Sequence, residues 1–594
     1  MNRWAIVGCP YGTDFGTNTN LESNLEPQQG NRNWLLRGAG CLLLLVPFVL
    51  QWVTIRSRGI DPDELEHLHA GFCVWRGMLP YRDFFEHHSP ALYYFIQPAF
   101  WMYGPDLNVL WLGRAVMTLM SLATVVITWQ LARPLQGELV AWTASLLLAW
   151  SNVFVLKGME LRPDVPACLC LTLMTYLTVR SIESIRFRDW LVIGLWGGLA
   201  TVFTQKAIVP VVALAISVVA VRWLQRGRNW ATSKSATPST TAESASSVAW
   251  IPFLGVGLGG AVLWAVVAML FARVGAVHDL FAGTVLQLVR LPVHSDRWEQ
   301  LRPAISADLT LWLAGLLFLF LECRELARRH GEARLQVLAG TLAGSLISLA
   351  WVKAVYPQYL LLWLPLLAVA AAIGLERLRS NTHLMWTWAI VGMGLLVCGL
   401  ECKLLFDGIR GTQASGLSHL RTLWNAWHFP AGAVLILPLG LLAWCGSLWR
   451  TSATRSWVLL PLAILGMSYA LARDANSWLW ANRAQVALIE RVNSLATTQD
   501  TVLDGFTGYG ALRPHANYFW WINRYSLALM TDADKSRLLT LVRDHPPSVV
   551  LYDRELKSWP ELRASIEADY VPTVEPPIWI RRRAGGLRFP RIQK

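Results

Sequence analysis

Apolar stretches of roughly 16–25 residues alternate with short polar connectors along most of the chain before residue 473. A helix needs about 20 apolar residues to cross the hydrocarbon core of a bilayer. The pattern therefore predicts a mainly α, polytopic membrane protein with about thirteen transmembrane helices. The predicted spans are 35–55, 107–131, 137–156, 164–180, 189–204, 208–223, 248–271, 309–322, 335–352, 359–375, 384–400, 431–449 and 456–472.

The chain becomes more polar after the last predicted span, and its pattern changes to short helix and strand signals. Helices are predicted over 482–496 and 532–544, and strands over 501–505, 548–553 and near 577–582. We therefore expect a membrane domain over 34–472 and a small extracytoplasmic α/β domain over 473–594. Residues 1–33 are polar and rich in Gly, Asn and Thr, which predicts a disordered cytoplasmic tail.

Lysine and arginine between the predicted spans indicate the orientation. Only 15% of the 594 residues are charged, and the net charge is +13. The basic residues gather in short connectors, which face the cytoplasm by the positive-inside rule. Residues 56–106, 272–308, 401–430 and the C-terminal region then lie outside. We expect a multi-pass protein of the cell inner (plasma) membrane with a cytoplasmic N-terminus, whose charge serves topology and lipid contact rather than nucleic-acid binding.

The first outer connector, residues 56–106, concentrates acids, histidines and aromatic residues. Asp61 is a good N-cap, Pro62 suits the first helical position, and Glu64 completes a capping box. These signals predict a helix that runs towards Trp75 along the membrane surface. A simple explanation of Asp63 and Glu64 is that acids stabilise a helix N-terminus. That explanation does not account for the second acid–histidine cluster, in the segment DFFEHHSP.

The segments DPDELEH and GMLPYRDFFEHHSP resemble the first periplasmic loop of GT-C glycosyltransferases, in particular the protein O-mannosyltransferase and aminoarabinose transferase group. ELRPDVPA at 160–167, Lys206 and YPQY at 356–359 extend the resemblance more weakly. It implies an inverting enzyme that moves a sugar from a polyprenyl-phosphate donor to an acceptor on the extracytoplasmic face. The catalytic aspartate of the family corresponds to Asp63, which would act as the general base.

The resemblance also implies residues that support this base and residues that bind the donor. Glu64, Asp83 and Glu86 are expected as supporting acids of the loop. The candidates for donor phosphate or sugar binding are Arg162, Asp164, Lys206, His87, Lys353 and Tyr359. The aminoarabinose branch has Glu–Lys–Pro where this chain has EHHSP, so the sugar stays open. The acceptor, whether protein, lipid or glycan, stays open as well.

Simpler interpretations of these polar residues remain open at this point. Arg162 and Asp164 could form an interfacial ion pair, and Lys206 could lie in a surface turn. Glu86 and His88 are candidate ligands for a divalent metal ion, although their spacing is not the usual helical one. The nine cysteines show no spacing typical of a metal site, so we expect ordinary packing roles for them.

Two other functions fit a polytopic chain of this kind. A transporter or flippase would place acids and bases near the bilayer midplane at broken helices. Here they concentrate in an outer loop, which favours a transferase. A non-catalytic protein of the same fold is the second alternative, because a fold does not determine an activity.

Overall fold

The computed structural model of the chain describes residues 26–233, 250–287, 297–328, 331–349, 356–380, 467 and 481–582. Most of the described residues before residue 381 are helical. Its helices are α1 (Glu26–Thr54), α2 (Pro62–Trp75), α3 (Ala91–Phe95), α4 (Gln97–Tyr103), α5 (Asn108–Ala149), α6 (Asn152–Lys157), α7 (Asp164–Ser181), α8 (Phe187–Phe203), α9 (Ile208–Ser233), α10 (Ile251–Ala272), α11 (Val277–Phe281), α12 (Arg297–Ala307), α13 (Leu309–Ala327), α14 (Ala333–Ser348) and α15 (Leu364–Ser380). Short 3₁₀ turns at Gln205–Ala207 and Pro357–Leu362 precede α9 and α15, and a π turn at Ala282–Leu286 follows α11.

The first ten predicted spans fall largely on these helices. Two of them, 107–131 and 137–156, share the long helix α5, which is kinked where Gln136 and Gly137 leave helical geometry. Gly137 has a φ of 86°, a conformation that glycine adopts at little cost. Among the described residues, α5, Gln205–Gln225 and α10 are each long and apolar enough to cross a membrane. The last three predicted spans, 384–400, 431–449 and 456–472, lie outside the described residues except for Met467. The count of thirteen therefore stays a prediction.

Small residues let α8 and α10 approach each other closely. A Cβ atom at Gly194 would collide with the backbone of Val256, and one at Gly259 would collide with the backbone of Leu191. In membrane-type bundles, small residues of this kind allow backbones to come together and gain van der Waals contact. The 3₁₀ turn that carries Lys206 directly follows α8.

The C-terminal region contains a four-stranded sheet with helices. The strands are β1 (Val502–Asp504), β2 (Val549–Leu551), β3 (Tyr570–Pro572) and β4 (Ile578–Arg581), in the order β1-β2-β4-β3. Strands β1 and β2 are parallel, and the other two pairs are antiparallel. The helices are α16 (Arg483–Leu495), α17 (Arg524–Leu529), α18 (Asp532–Asp544), α19 (Arg554–Lys557) and α20 (Pro560–Asp569). The predicted helices and strands are present, whereas α17, α19, α20 and β3 were not predicted.

This C-terminal region contacts the connector over residues 56–106 directly. Gln485 exchanges two hydrogen bonds with the backbone of Ile60, at 2.9 and 2.8 Å. The backbone N–H of Phe85 donates to the carbonyl of Tyr518 at 2.8 Å, and the Tyr518 hydroxyl donates to the carbonyl of Tyr81 at 2.7 Å. The connector 56–106 is therefore held between the helical bundle and the C-terminal sheet region.

Helix α2 begins as its capping signals predict. The Asp61 side chain accepts from the backbone N–H of Asp63, and the backbone N–H of Asp61 donates to the Glu64 carboxylate, which completes the capping box. Glu64 is also fully buried and accepts two hydrogen bonds from Arg114 of α5, at 2.8 and 2.5 Å. The remaining Arg114 donors reach the backbone carbonyls of residues 55, 58 and 59. This buried pair ties the start of α2 to the bundle.

Removal of one partner of the Glu64–Arg114 pair should destabilise the protein strongly, because a buried charge is left unpaired. We expect Arg114→Met to lower the free energy of unfolding by about 3–5 kcal/mol. Thermal unfolding of the purified protein in detergent measures the loss. Arg133→Met is the control, since Arg133 lies exposed on the same helix. Equal unfolding temperatures for the two variants would contradict a role for the pair.

Candidate active site

The segment between α6 and α7 places a buried arginine against three carboxylates. Arg162 is only 2% exposed. Its Nη1 donates to Asp63 Oδ2 at 2.7 Å, its Nη2 to Asp61 Oδ1 at 2.7 Å, and its Nε to Glu160 Oε2 at 2.5 Å. Each nitrogen of the guanidinium group thus serves a different acid. The planar fork of arginine fixes how these acids lie relative to one another.

Two further cations complete this cluster. Lys157 Nζ bonds Asp61 Oδ2 at 2.8 Å and Glu160 at 3.0 Å, and Arg58 Nη2 bonds Glu160 Oε1 at 3.1 Å. Burial alone would raise the pKa of Asp61, but the charges of Arg162 and Lys157 outweigh it and lower that pKa well below its ordinary value. Three cations therefore balance three carboxylates at the N-terminus of α2.

The environment of Asp63 differs between its two oxygens. Oδ2 accepts from Arg162 and, at 3.3 Å, from Gln358 Nε2. Oδ1 has no hydrogen-bond partner among the described residues, and the side chain is 36% exposed. One oxygen is thus anchored while the other can accept a proton from a bound molecule. A general base needs an oxygen that can accept a proton in this way.

Lys206, Asp164 and Tyr359 come together beside this cluster, although they lie far apart in sequence. Lys206 Nζ lies 3.5 Å from Asp164 Oδ1 and 3.9 Å from the centre of the Tyr359 ring. Tyr359 follows Gln358, the residue that contacts Asp63, in the same 3₁₀ turn. The 3₁₀ turn Pro357–Leu362 therefore links Lys206 to Asp63. Lys353, the remaining predicted binding residue, lies outside the described residues.

The second acid–histidine segment, DFFEHHSP, contacts the 3₁₀ turn Gln205–Ala207 that carries Lys206. Gln205 Nε2 donates to the carbonyl of His87 at 2.5 Å, and its Oε1 accepts from the backbone N–H of Ser89 at 3.0 Å. Glu86 Oε1 lies 2.8 Å from His88 Nδ1 and accepts from two backbone N–H groups. Burial alone would raise the pKa of Glu86, but the hydrogen bond and charge of His88 lower it to about 2. Burial and the charge of His88 lower the pKa of His87 to about 3.

Glu66 joins these residues into a cluster with the donor set of a metal site. Ligand atoms of Glu66, Glu86, His87 and His88 all lie within 4.8 Å of one another. Glu86 Oε2 and His87 Nδ1 are buried without a hydrogen-bond partner. Burial, together with the charges of Glu86 and Asp63, raises the pKa of Glu66 well above its ordinary value. A divalent cation would satisfy these atoms, so the predicted ligands Glu86 and His88 fit the chemistry of such a site.

Two predicted supporting acids have other partners. Glu64 is occupied by Arg114 and the capping box, so its evident contribution is to hold the position of α2. Asp83 accepts from the backbone N–H of Leu79 at 2.7 Å and pairs with exposed Arg82.

Arg162 is predicted to contact phosphate, but its guanidinium group is engaged by three acids. Any phosphate contact would be additional to these. The phosphate role of Arg162 stays a prediction.

Several residues of the site were not assigned to it from the sequence. Lys157, Glu160 and Gln358 make direct contacts in the cluster, and Asp61 was interpreted as a cap alone. Glu160 and Gln358 lie inside the segments ELRPDVPA and YPQY, which carry the family resemblance. Their membership of these segments could have indicated a place in the site. Lys157 precedes them on α6 and carries no sequence pattern of its own.

Comparisons with known proteins agree with this architecture. A family model described as dolichyl-phosphate-mannose-protein mannosyltransferase matches residues 87–237. The crystal structure of ArnT from Cupriavidus metallidurans bound to undecaprenyl phosphate superposes with a TM-score of 0.58 at 14% sequence identity, over 87% of this chain and 92% of that one. Its apo state gives 0.58 at 13% identity, over 88% and 93%. The apo oligosaccharyltransferase from Archaeoglobus fulgidus gives 0.50 at 12% identity, over 88% and 70%.

This chain has the fold of these structures, the GT-C fold. The resemblance predicted from the first outer loop is thereby confirmed at the level of fold. No curated protein sequence matches the chain significantly. At identities of 12–14% the GT-C fold is shared while activity must be argued from the site itself.

The charge of Asp61 should stabilise the GT-C fold only while the carboxyl group is ionised. Asparagine is an equally good N-cap, so Asp61→Asn keeps the cap and removes the ion pairs. At neutral pH we expect a loss of about 2 kcal/mol in unfolding free energy. Because the folded-state pKa of Asp61 is lowered, its contribution is present above the unfolded value of about 3.9 and lost below it. The difference between the two proteins should shrink as the pH falls below about 4.

Thermal unfolding in detergent, measured from neutral pH to below about pH 4, tests the expectation. Asp106→Asn is the matched control, because Asp106 also caps a backbone N–H, that of Asn108, but at an exposed position. A difference between wild type and Asp61→Asn that stays constant with pH would mean that the charge pairs contribute nothing.

Proposed function

We propose that the chain is a membrane glycosyltransferase that moves a sugar from a polyprenyl-phosphate donor to an acceptor on the extracytoplasmic face, with inversion. The observation that carries the proposal is the asymmetric environment of Asp63, with one oxygen anchored by Arg162 and Gln358 and the other exposed. The GT-C fold supports it, and so does ArnT, whose crystal structure holds undecaprenyl phosphate.

The reaction is a single displacement in which Asp63 is the general base. The acceptor hydroxyl donates its proton to Asp63 Oδ1 while its oxygen forms a bond to the anomeric carbon. The bond between that carbon and the phosphate oxygen breaks, and its electron pair leaves with the polyprenyl phosphate. Attack from the face opposite the leaving group inverts the anomeric centre. The Arg162 contact holds the carboxylate in the orientation that this transfer needs.

The leaving phosphate gains negative charge and needs a cation placed before the reaction begins. Lys206 fits this role, because its one ion-pair contact among the described residues is to Asp164, at 3.5 Å. Arg162, in contrast, has short contacts to three acids. The Tyr359 ring holds the ammonium group of Lys206 by a cation–π contact, and the lysine side chain is 22% exposed.

A divalent cation in the cluster of Glu66, Glu86, His87 and His88 would supply a second positive charge. The fit of these ligands supports the inclusion of a metal ion in the proposal. The acceptor is a hydroxyl group of a protein, lipid or glycan that reaches the exposed oxygen of Asp63. The bilayer supplies the donor, whose polyprenyl tail stays in the lipid.

We further propose that the site faces the extracytoplasmic side of the inner membrane. Under the predicted orientation, α2, the 3₁₀ turns and the C-terminal sheet region all lie on that side, with the N-terminus in the cytoplasm. The acids and bases gather where helices end rather than midway along them, which favours a transferase over a transporter or flippase.

Loss of the base should abolish transfer without loss of the fold. In proteoliposomes supplied with radiolabelled polyprenyl-phosphate sugars and a membrane extract as acceptor, we expect Asp63→Asn to slow the release of polyprenyl phosphate by about 10²–10⁴-fold. Asp532→Asn is the control, because Asp532 is a fully exposed aspartate at the start of α18. Unchanged release by Asp63→Asn would refute the base assignment. Movement of a solute across the liposomes with no sugar transfer would favour the transporter.

Substitution of Lys206 should lower kcat/KM for the donor more than kcat/KM for the acceptor. We expect Lys206→Gln to lower kcat/KM for the donor about 10–100-fold, the cost of about one to two charge-assisted contacts. Lys206→Arg should recover part of the loss, because it keeps the positive charge. Equal activity of Lys206→Gln and wild type would exclude the lysine from phosphate stabilisation. Initial rates at varied donor concentration measure the effect.

A further inference from the structure

Three metal-ligating side chains from distant parts of the chain meet between α2 and the C-terminal region. His69 and Cys73 are one turn apart on α2, and His515 lies in the loop after β1. His69 Nε2 is 2.9 Å from His515 Nδ1, and Cys73 Sγ is 3.4 Å from His69 Nε2 and 3.6 Å from His515 Nδ1. These three atoms form a small triangle of nitrogen and sulfur donors.

The surroundings of the triangle orient its donors. His69 Nδ1 lies 3.0 Å from the carbonyl oxygen of Ala511, which can only accept a hydrogen bond, so Nδ1 carries the proton. The lone pair of His69 is therefore on Nε2 and is directed towards Cys73 and His515. The Trp520 ring stacks on His69 at 4.0 Å between centroids and restricts the imidazole further. His69 and Cys73 are both buried.

We propose that His69, Cys73 and His515 bind a zinc ion that joins α2 to the C-terminal region. In a tetrahedral zinc site, bond lengths of about 2.0–2.3 Å place nitrogen and sulfur ligands roughly 3.6 Å apart and two nitrogens roughly 3.3 Å apart. Both sulfur–nitrogen distances agree with these values, and the nitrogen–nitrogen distance needs to open by only about 0.4 Å. A water molecule or another group would complete the coordination.

The chemistry of the donors selects the class of metal. One thiolate and two imidazoles suit zinc, which prefers nitrogen and sulfur ligands, and do not suit magnesium or calcium, which prefer oxygen. The backbone carbonyl that receives the other ring proton of His69 is the usual outer partner of a metal-bound histidine. The site shares no residue with the cluster of Glu66, Glu86, His87 and His88.

The position of the zinc site gives it a structural role. It would fasten the middle of α2, the helix whose first turn carries Asp63, to the loop that follows β1. Sequence spacing does not reveal the site, because 442 residues separate Cys73 from His515. Under this proposal Cys73 is a metal ligand rather than the packing residue that sequence spacing predicts, whereas Cys168 and Cys170 are buried in α7.

The full-length protein, purified in detergent without a polyhistidine tag, provides the test. Elemental mass spectrometry should find zinc in the wild type, and about one ion per chain fewer in Cys73→Ser and in His515→Gln. Cys170→Ser, a buried cysteine without these neighbours, is the matched control and should keep the metal. Reconstitution with Co²⁺ should give the near-ultraviolet band of a cobalt–thiolate bond in wild type and Cys170→Ser but not in Cys73→Ser.

A second measurement keeps the proposal decisive if a variant fails to fold. Treatment of the wild-type protein with a chelator should lower its unfolding temperature by several degrees, and zinc should restore it. The cobalt–thiolate band of the wild type should survive His88→Gln, which separates this site from the acid–histidine cluster. Wild type that binds neither zinc nor cobalt through a thiolate would overturn the proposal. That result would identify a hydrogen-bonded trio and would leave the role of Asp63 untouched.

Discussion

The site depends on one buried guanidinium group that holds three carboxylates in fixed positions. Arg162 contacts Asp61, Asp63 and Glu160 through three different nitrogens, and Lys157 and Arg58 neutralise the remaining charge. A carboxylate in such a setting loses little of its orientation to thermal motion, since its partner is itself buried and hydrogen-bonded. The cost of burying so many charges is offset only because every one of them is paired.

The same constraint explains why α2 can present Asp63 at an exact place. The capping box fixes the first turn of the helix, and the Glu64–Arg114 pair fixes that turn against α5. The C-terminal region then covers the loop from above through Gln485 and Tyr518. Asp63 is thus set by the backbone of a capped helix rather than by a loose loop, which is how scaffolds hold reacting groups.

Patterns local in sequence predicted much of this structure. Apolar length predicted the long helices before residue 381 but not the short ones α3, α4, α6, α11 and α12, and capping chemistry predicted the start of α2. The first loop was singled out by the density of its acids and histidines. Contacts between distant segments were not predictable in this way: nothing near Gln358 or Lys157 in the sequence indicates Asp63 or Asp61 as its partner. Nor does any periodicity place His515 beside Cys73, since tertiary packing alone sets that distance.

The charge balance of the cluster bears on how the proposed reaction would be driven. At rest, three carboxylates compensate Arg162, Lys157 and Arg58. When Asp63 takes the acceptor proton, one negative charge disappears and the cluster becomes more positive by one. This change coincides with the growth of negative charge on the leaving phosphate. In a partly buried site of low effective dielectric, a positive charge that appears at that moment favours departure of the phosphate. The Arg162 contact therefore serves the transition state as well as the ground state, because Asp63 no longer balances the charge of the guanidinium group as the phosphate leaves.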